Sequence, residues 1–151
     1  MLKYKPLLDV PVTDPYKPGA APVHFLVKGR QRIKLDELLS NRADPNTLMV
    51  EDISALHMAS ADGWEEGINI LLYWNAAIDA QDQYLRETPL HKAARNNKTG
   101  AIKLLCEKNA NQRIKNIDGM GFQEVLDLAQ QRPDDRHISP NKESFCTFYI
   151  P

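Results

Sequence analysis

The chain repeats itself, and that restricts it to one kind of architecture. Ser54-Ala55-Leu56-His57-Met58-Ala59-Ser60 matches Thr88-Pro89-Leu90-His91-Lys92-Ala93-Ala94 at an offset of 34 residues. Leu126-Asp127-Leu128-Ala129 occupies the same slot 36 residues further on. Behind the first two copies come aliphatic stretches, Ile68-Asn69-Ile70-Leu71-Leu72 and Ala101-Ile102-Lys103-Leu104-Leu105, with an earlier one at Leu35-Asp36-Glu37-Leu38-Leu39. Each is followed by a small polar segment: Arg42-Ala43-Asp44-Pro45-Asn46, Ala76-Ala77-Ile78-Asp79-Ala80 and Asn109-Ala110-Asn111-Gln112-Arg113. A period of this length marks a stack of small units, none of which can bury its apolar face alone.

Each unit reads as two short helices and an extended turn. Thr88 is suited to cap a helix, and Pro89 to its first position, where a missing N–H costs nothing. Ala93 and Ala94 let helices approach closely, while Leu90, Ile102, Leu104 and Leu105 supply an apolar face for a neighbouring unit to cover.

This pattern resembles the ankyrin repeat, most closely from Asp82 to Ala110 and over roughly residues 23–131. The resemblance implies an all-α, ankyrin-type helix-turn-helix solenoid with finger-like turns. A degenerate first unit precedes two good units and a truncated last one. On this reading residues 1–22 form an extended Pro-rich arm, 23–131 the repeat stack, and 132–151 an extended C-terminal tail. The chain departs from the family's pattern in places. Leu85-Arg86-Glu87 replaces the glycine that usually precedes the threonine, and Asn109 stands where the family prefers glycine. The fourth unit has Glu124-Val125 for Thr-Pro and Pro133 where a second helix would run. Spacings of 34 and 36 exceed the family's usual period, so small insertions are expected in the turns.

No constellation of catalytic residues is found. His57 and His91 share one repeat phase, for which the resemblance implies a backbone hydrogen bond between units. His24, in a basic entry segment, and His137, in the tail, have no partner at metal-ligand spacing. Cys106 falls in an apolar slot of an outer helix with no base placed beside it. Gly119-Met120-Gly121 lacks the lysine and hydroxyl of a phosphate loop, and Asp134-Asp135 beside Pro133 reads as a solvated turn. The reading is therefore a non-enzyme without metal or cofactor.

Composition narrows the partners. A formal net charge of −1 over 151 residues and a pI near 6.4 argue against nucleic acid. The short basic run Lys28-Gly29-Arg30-Gln31-Arg32-Ile33-Lys34 has no interleaved aromatic for base stacking. The most apolar run, Ile68 to Ala80, is too short and too interrupted to span a membrane. Lys3-Tyr4-Lys5-Pro6 does not open a secretion signal. Two cysteines, Cys106 and Cys146, cannot form a disulfide framework, so a reducing intracellular compartment, the cytoplasm first, is expected.

What remains is protein binding. The resemblance implies a concave face lined by turns and inner helices. The turn tips Thr47-Leu48-Met49-Val50, Tyr84-Leu85-Arg86 and Ile117-Asp118-Gly119-Met120 are rich in residue types enriched at interfaces. Candidate contacts are Leu48, Met49, Tyr84, Leu85, Arg86, Ile117 and Met120, with Arg95, Asn96 and Arg132 at variable inner-helix positions. Some of these tips are expected to pack on neighbouring fingers, and Trp64 and Trp74 to pack in the core or on the back face. The tails carry more apolar residues than linkers usually do, with Tyr4, Leu8, Tyr16, Phe145, Phe148 and Tyr149 as candidate anchors. The expected role is a non-catalytic subunit held in a multi-subunit assembly by its concave face and tails. The alternative is a free adaptor or inhibitor that binds one partner reversibly.

Overall fold

Three helix pairs and one single helix follow each other along the chain in the computed structural model, which describes residues 12–14 and 17–131. The pairs are α1 (Pro22–Lys28) with α2 (Arg32–Ser40), α3 (Ala55–Asp62) with α4 (Glu65–Tyr73), and α5 (Pro89–Arg95) with α6 (Thr99–Glu107); α7 (Phe122–Gln130) stands last. The inner helices α1, α3, α5 and α7 pack in that order, and α2, α4 and α6 form a second layer on them. Short hairpins supply the only strands among the described residues. β1 (Val12–Asp14) pairs antiparallel with β2 (Lys17–Ala20), and β3 (Leu48–Met49) pairs with β4 (Ile53–Ser54) in the register Leu48↔Ser54, Met49↔Ile53. This is the expected all-α solenoid with finger-like turns. The first finger and Pro22 of α1 fall inside the segment read as an N-terminal arm.

The helix starts set the true repeat. The N-cap residues are Ala21, Ser54, Thr88 and Gly121, at spacings of 33, 34 and 33. Ala21-Pro22-Val23-His24 is thus a full first copy, and His24 belongs to the same phase as His57 and His91 rather than to a basic entry segment. The last unit is also shifted from its expected place. Its helix starts at Phe122, with Gly121 in the slot of Thr88, and not 36 residues on. The single inserted residue lies in the third finger. Three residues separate the paired positions Met49 and Ile53, but four separate Asp82 from Glu87, where the Asp82 N–H donates to the Glu87 carbonyl.

Helix ends recur in phase as well. The residue nine after each of the first three N-caps takes a left-handed backbone: Arg30 (φ 49°), Gly63 (φ 67°) and Asn97 (φ 53°). So does the residue twenty-one after: Arg42 (φ 68°), Asn75 (φ 64°) and Asn109 (φ 65°). Asparagine tolerates this region better than other non-glycine residues, which is how Asn109 fills a glycine position.

The core runs unbroken through the stack. Leu35, Ile68 and Ile102 hold one equivalent position on the outer helices, and all are fully buried. Leu56, Leu90 and Leu126 bury the inner layer, where Ala59, Ala93 and Ala94 allow close packing. Each buried leucine or isoleucine contributes about 1.5–3 kcal/mol. Both tryptophans pack on their own stack. Trp64 is buried over Gly67, and Trp74 donates from Nε1 to Asp36 Oδ1 at 2.9 Å.

Candidate functional site

The finger side of the stack depends on how firmly each finger is held to the helix before it. The Thr88 backbone N–H donates to His91 Nδ1 at 3.3 Å. An N–H can only donate, so Nδ1 is the acceptor, and the neutral ring carries its proton on Nε2. That nitrogen donates to the Met120 carbonyl at 3.2 Å, in the next finger. His57 repeats the device one unit earlier, with the Ser54 N–H on Nδ1 at 3.2 Å and Nε2 on the Glu87 carbonyl at 3.0 Å. Burial holds both imidazoles below the ordinary histidine range, against the carbonyls that favour the charged ring. His24 Nδ1 likewise accepts the Ala21 N–H. His57 and His91 are structural pins between units, as the resemblance implied.

The third finger carries a buried ionic cluster. Asp82 Oδ1 accepts the N–H groups of Leu85 at 2.8 Å and Glu87 at 3.3 Å, which shapes the turn. Lys92 Nζ lies 2.5 Å from Asp82 Oδ2 and 3.2 Å from Glu87 Oε2. Arg95 forks onto Glu87, with Nε 2.9 Å from Oε1 and Nη2 also in contact. Burial pushes both carboxyls up, but the cations and hydrogen bonds outweigh it and hold both below their usual range. The Glu87 hydrogen bond in turn raises the Arg95 guanidinium. In the fourth finger Asn116 Oδ1 does the work of Asp82, accepting the N–H groups of Asp118 and Met120.

With their bases fixed, the fingers also bond to one another. The Gln83 N–H donates to the Glu51 carbonyl at 2.9 Å, and the Ile117 N–H to the Leu85 carbonyl at 2.8 Å. Gln81 Nε2 bridges the carbonyls of Arg86 and Lys115. Val50, Tyr84 and Ile117, each four residues before an N-cap, therefore recur finger by finger, at 49%, 70% and 61% exposure. Leu48 is exposed beside Val50, while Met49, Leu85 and Met120 are partly buried. The tips thus divide between exposed residues and partly buried ones. Arg86 and Asn96 are exposed; Arg95 is only partly so, being committed to Glu87. Arg132 and the tail anchors Tyr4, Leu8, Tyr16, Phe145, Phe148 and Tyr149 lie outside the described residues. Sequence reasoning missed Asp82, Glu87 and Lys92, and left Val50 out of the chosen contacts.

Among the described residues no three His, Cys, Asp or Glu side chains converge to hold a metal. No described helix is long and apolar enough to cross a membrane.

Comparison with known proteins agrees with the geometry. The family model described as ankyrin repeats (3 copies) matches residues 12–120. The chain is similar to ankyrin repeat and SOCS box protein 11 of Homo sapiens, at 32% identity over 110 residues, covering 73% of this chain and 32% of that one. It is similar to the B-cell lymphoma 3 protein homolog of Mus musculus, at 33% over 105 residues, covering 67% and 23%. It also matches palmitoyltransferase Hip14 of Drosophila melanogaster, at 33% over 86 residues, covering 57% and 14%. The chain thus spans a third or less of the length of these relatives, and the palmitoyltransferases match through their ankyrin region. Ankyrin repeats bind protein partners and are generally non-catalytic. This chain, with three helix pairs and in-phase histidines at His24, His57 and His91, belongs to the ankyrin repeat family.

Proposed function

We propose that the chain is a small non-catalytic accessory subunit, held in a larger intracellular protein assembly by its concave face and its tails. The observation that carries the reading is the row of exposed Val50, Tyr84 and Ile117 on hydrogen-bonded fingers. Apolar side chains on a pre-organised support bind without the ordering cost that a loose loop incurs. Tail segments with apolar anchors would add tethered contacts, each raising the effective concentration of the next. Cytoplasmic location is part of the same proposal.

The test uses the full chain and a form trimmed to residues 12–131, which keeps the first finger. Both are tagged and expressed in competition with the endogenous protein. The proposal expects the trimmed form to melt like the full chain but to be recovered poorly in the native complex. Equal incorporation would refute the tail contribution. Loss of melting temperature on trimming would instead favour the free adaptor, with tails folded back on the stack.

A further inference from the structure

A second surface lies among the outer helices, which pack on the inner layer rather than on the fingers. An open groove of about 790 Å³ runs there between α2 and α4, floored by Ile33, Ile70 and Tyr73 and edged by Arg32, Asp36 and Lys108. The three outer helices are each nine residues long, so their positions correspond one to one. Ile33 corresponds to Glu66 and Gly100, and Tyr73 to Ser40 and Glu107. The fold is satisfied at these positions by a polar side chain or none. Yet Ile33 is 81% and Tyr73 77% exposed, with Ile70 partly buried beside them. Apolar residues that the repeat does not need, gathered at one groove, mark a contact surface.

The charge lining the groove is net positive, with Arg32 and Lys108 against Asp36. Among the described residues neither Arg32 nor Lys108 has an ion-pair partner. Asp36, the acid among the described residues lining the groove, already accepts Trp74 Nε1 on Oδ1. We infer that this groove is a second protein-binding surface, for a partner segment that sets aliphatic or aromatic side chains between acidic ones. The apolar side chains cover Ile33, Ile70 and Tyr73, while the carboxylates meet Arg32 and Lys108. Opposite charge at the rim fixes register and speeds encounter, and the apolar floor supplies retention. The surface is distinct from the finger row, so the stack bridges two partners at once.

The test is a random-peptide phage selection on the immobilised full chain. Selected peptides are then measured by fluorescence anisotropy against wild type, Ile33→Ser/Tyr73→Ser, Arg32→Glu/Lys108→Glu and the finger variant Tyr84→Ser/Ile117→Ser. The substituted groove residues are exposed, so unchanged melting temperatures confirm folding. The expected result is a class of peptides with Asp or Glu beside Leu, Ile, Phe or Trp. They lose about tenfold in affinity or more on either groove variant, keep it on the finger variant, and weaken as salt is raised. Selections yielding no peptide sensitive to the groove variants would overturn the inference, as would groove peptides that are basic or indifferent to charge reversal. Binding that appears only after residues 1–11 or 132–151 are removed would give the groove to the chain itself. A dimer dissociated by Tyr73→Ser would give it to a second copy. Either result also overturns the assignment to a separate acidic partner.

Discussion

Replacing His91 with alanine tests whether the histidine pins hold the stack together. In the native protein Thr88 is buried, and its N–H has the His91 ring nitrogen as acceptor. Alanine leaves that N–H without a partner, which costs about 1–3 kcal/mol. The bond from Nε2 to Met120 is lost as well, but that carbonyl keeps the Asn116 N–H. Its net loss is therefore about 0.5–1.5 kcal/mol. The sum is about 1.5–4.5 kcal/mol, a large part of the roughly 5–15 kcal/mol a domain has in total. Because the Met120 bond ties the fourth finger to α5, the last unit should also uncouple, lowering the denaturant slope. The assay is urea unfolding of the full chain at neutral pH, followed by far-ultraviolet circular dichroism. Glu124→Ala, the equivalent exposed position on α7, serves as control and should stay within about 0.5 kcal/mol of wild type. If His91→Ala stays as close to wild type as the control does, the pin argument fails.

Three further outcomes follow from the same geometry. Burial lowers the folded-state pKa of His57 and His91, so the unfolded chain binds protons first. Their contribution is complete above about pH 6.5 and falls as pH drops toward the folded values, by up to about 1.4 kcal/mol per histidine per pH unit. Asp82 and Glu87, also held low, extend the loss below their unfolded values of 3.8 and 4.5. A urea midpoint flat from pH 7.5 to 5 would contradict this. Gly67→Ala should destabilise by about 1–2 kcal/mol despite better helix propensity, since the added Cβ would sit 2.0 Å from Trp64 Cε3. Gly100→Ala meets the movable end of Glu65 and should be neutral or stabilising; equal melting temperatures for the two variants would refute the packing argument. Glu87→Gln should cost about 1–3 kcal/mol, less than a fully buried pair, because water reaches Arg95 (33% exposed) and Lys92 (18% exposed). A melting temperature equal to wild type would remove the cluster from the account.

The sequence was most legible where one short segment carries the whole signal. Thr88-Pro89-Leu90-His91 holds a cap, a helix-starting proline, a core residue and a pin, and its helix lies where those residues require. Ala21-Pro22-Val23-His24 was harder to read because Ala21 has no capping oxygen and the stretch sits among prolines. The proline and histidine, 33 residues before Ala55 and His57, were the available clue. The last unit was placed three residues late because Leu126 and Ala129 matched an aliphatic phase, while the backbone obeyed the cap position at Gly121. The ionic cluster could not be read at all. Asp82 and Glu87 on a turn meet Lys92 and Arg95 on a helix only because the finger folds back. Arg95, which the sequence offers as a candidate contact, is paired with Glu87 by that fold-back. Ile33 sits in the basic run of residues 28–34 and Tyr73 at the end of an aliphatic one, and only packing decides that both stay outside.

The most direct measurement is the native size of the tagged full chain in gentle lysate, compared with Val50→Ser/Tyr84→Ser/Ile117→Ser. These side chains are exposed, so the variant folds. The account predicts that wild type elutes in a salt-resistant complex many times larger than its 17.1 kDa, and that the variant is strongly depleted from it. Wild type eluting as a monomer, or the variant recovered in the complex as fully as wild type, would contradict the claim that the finger row is where partners bind.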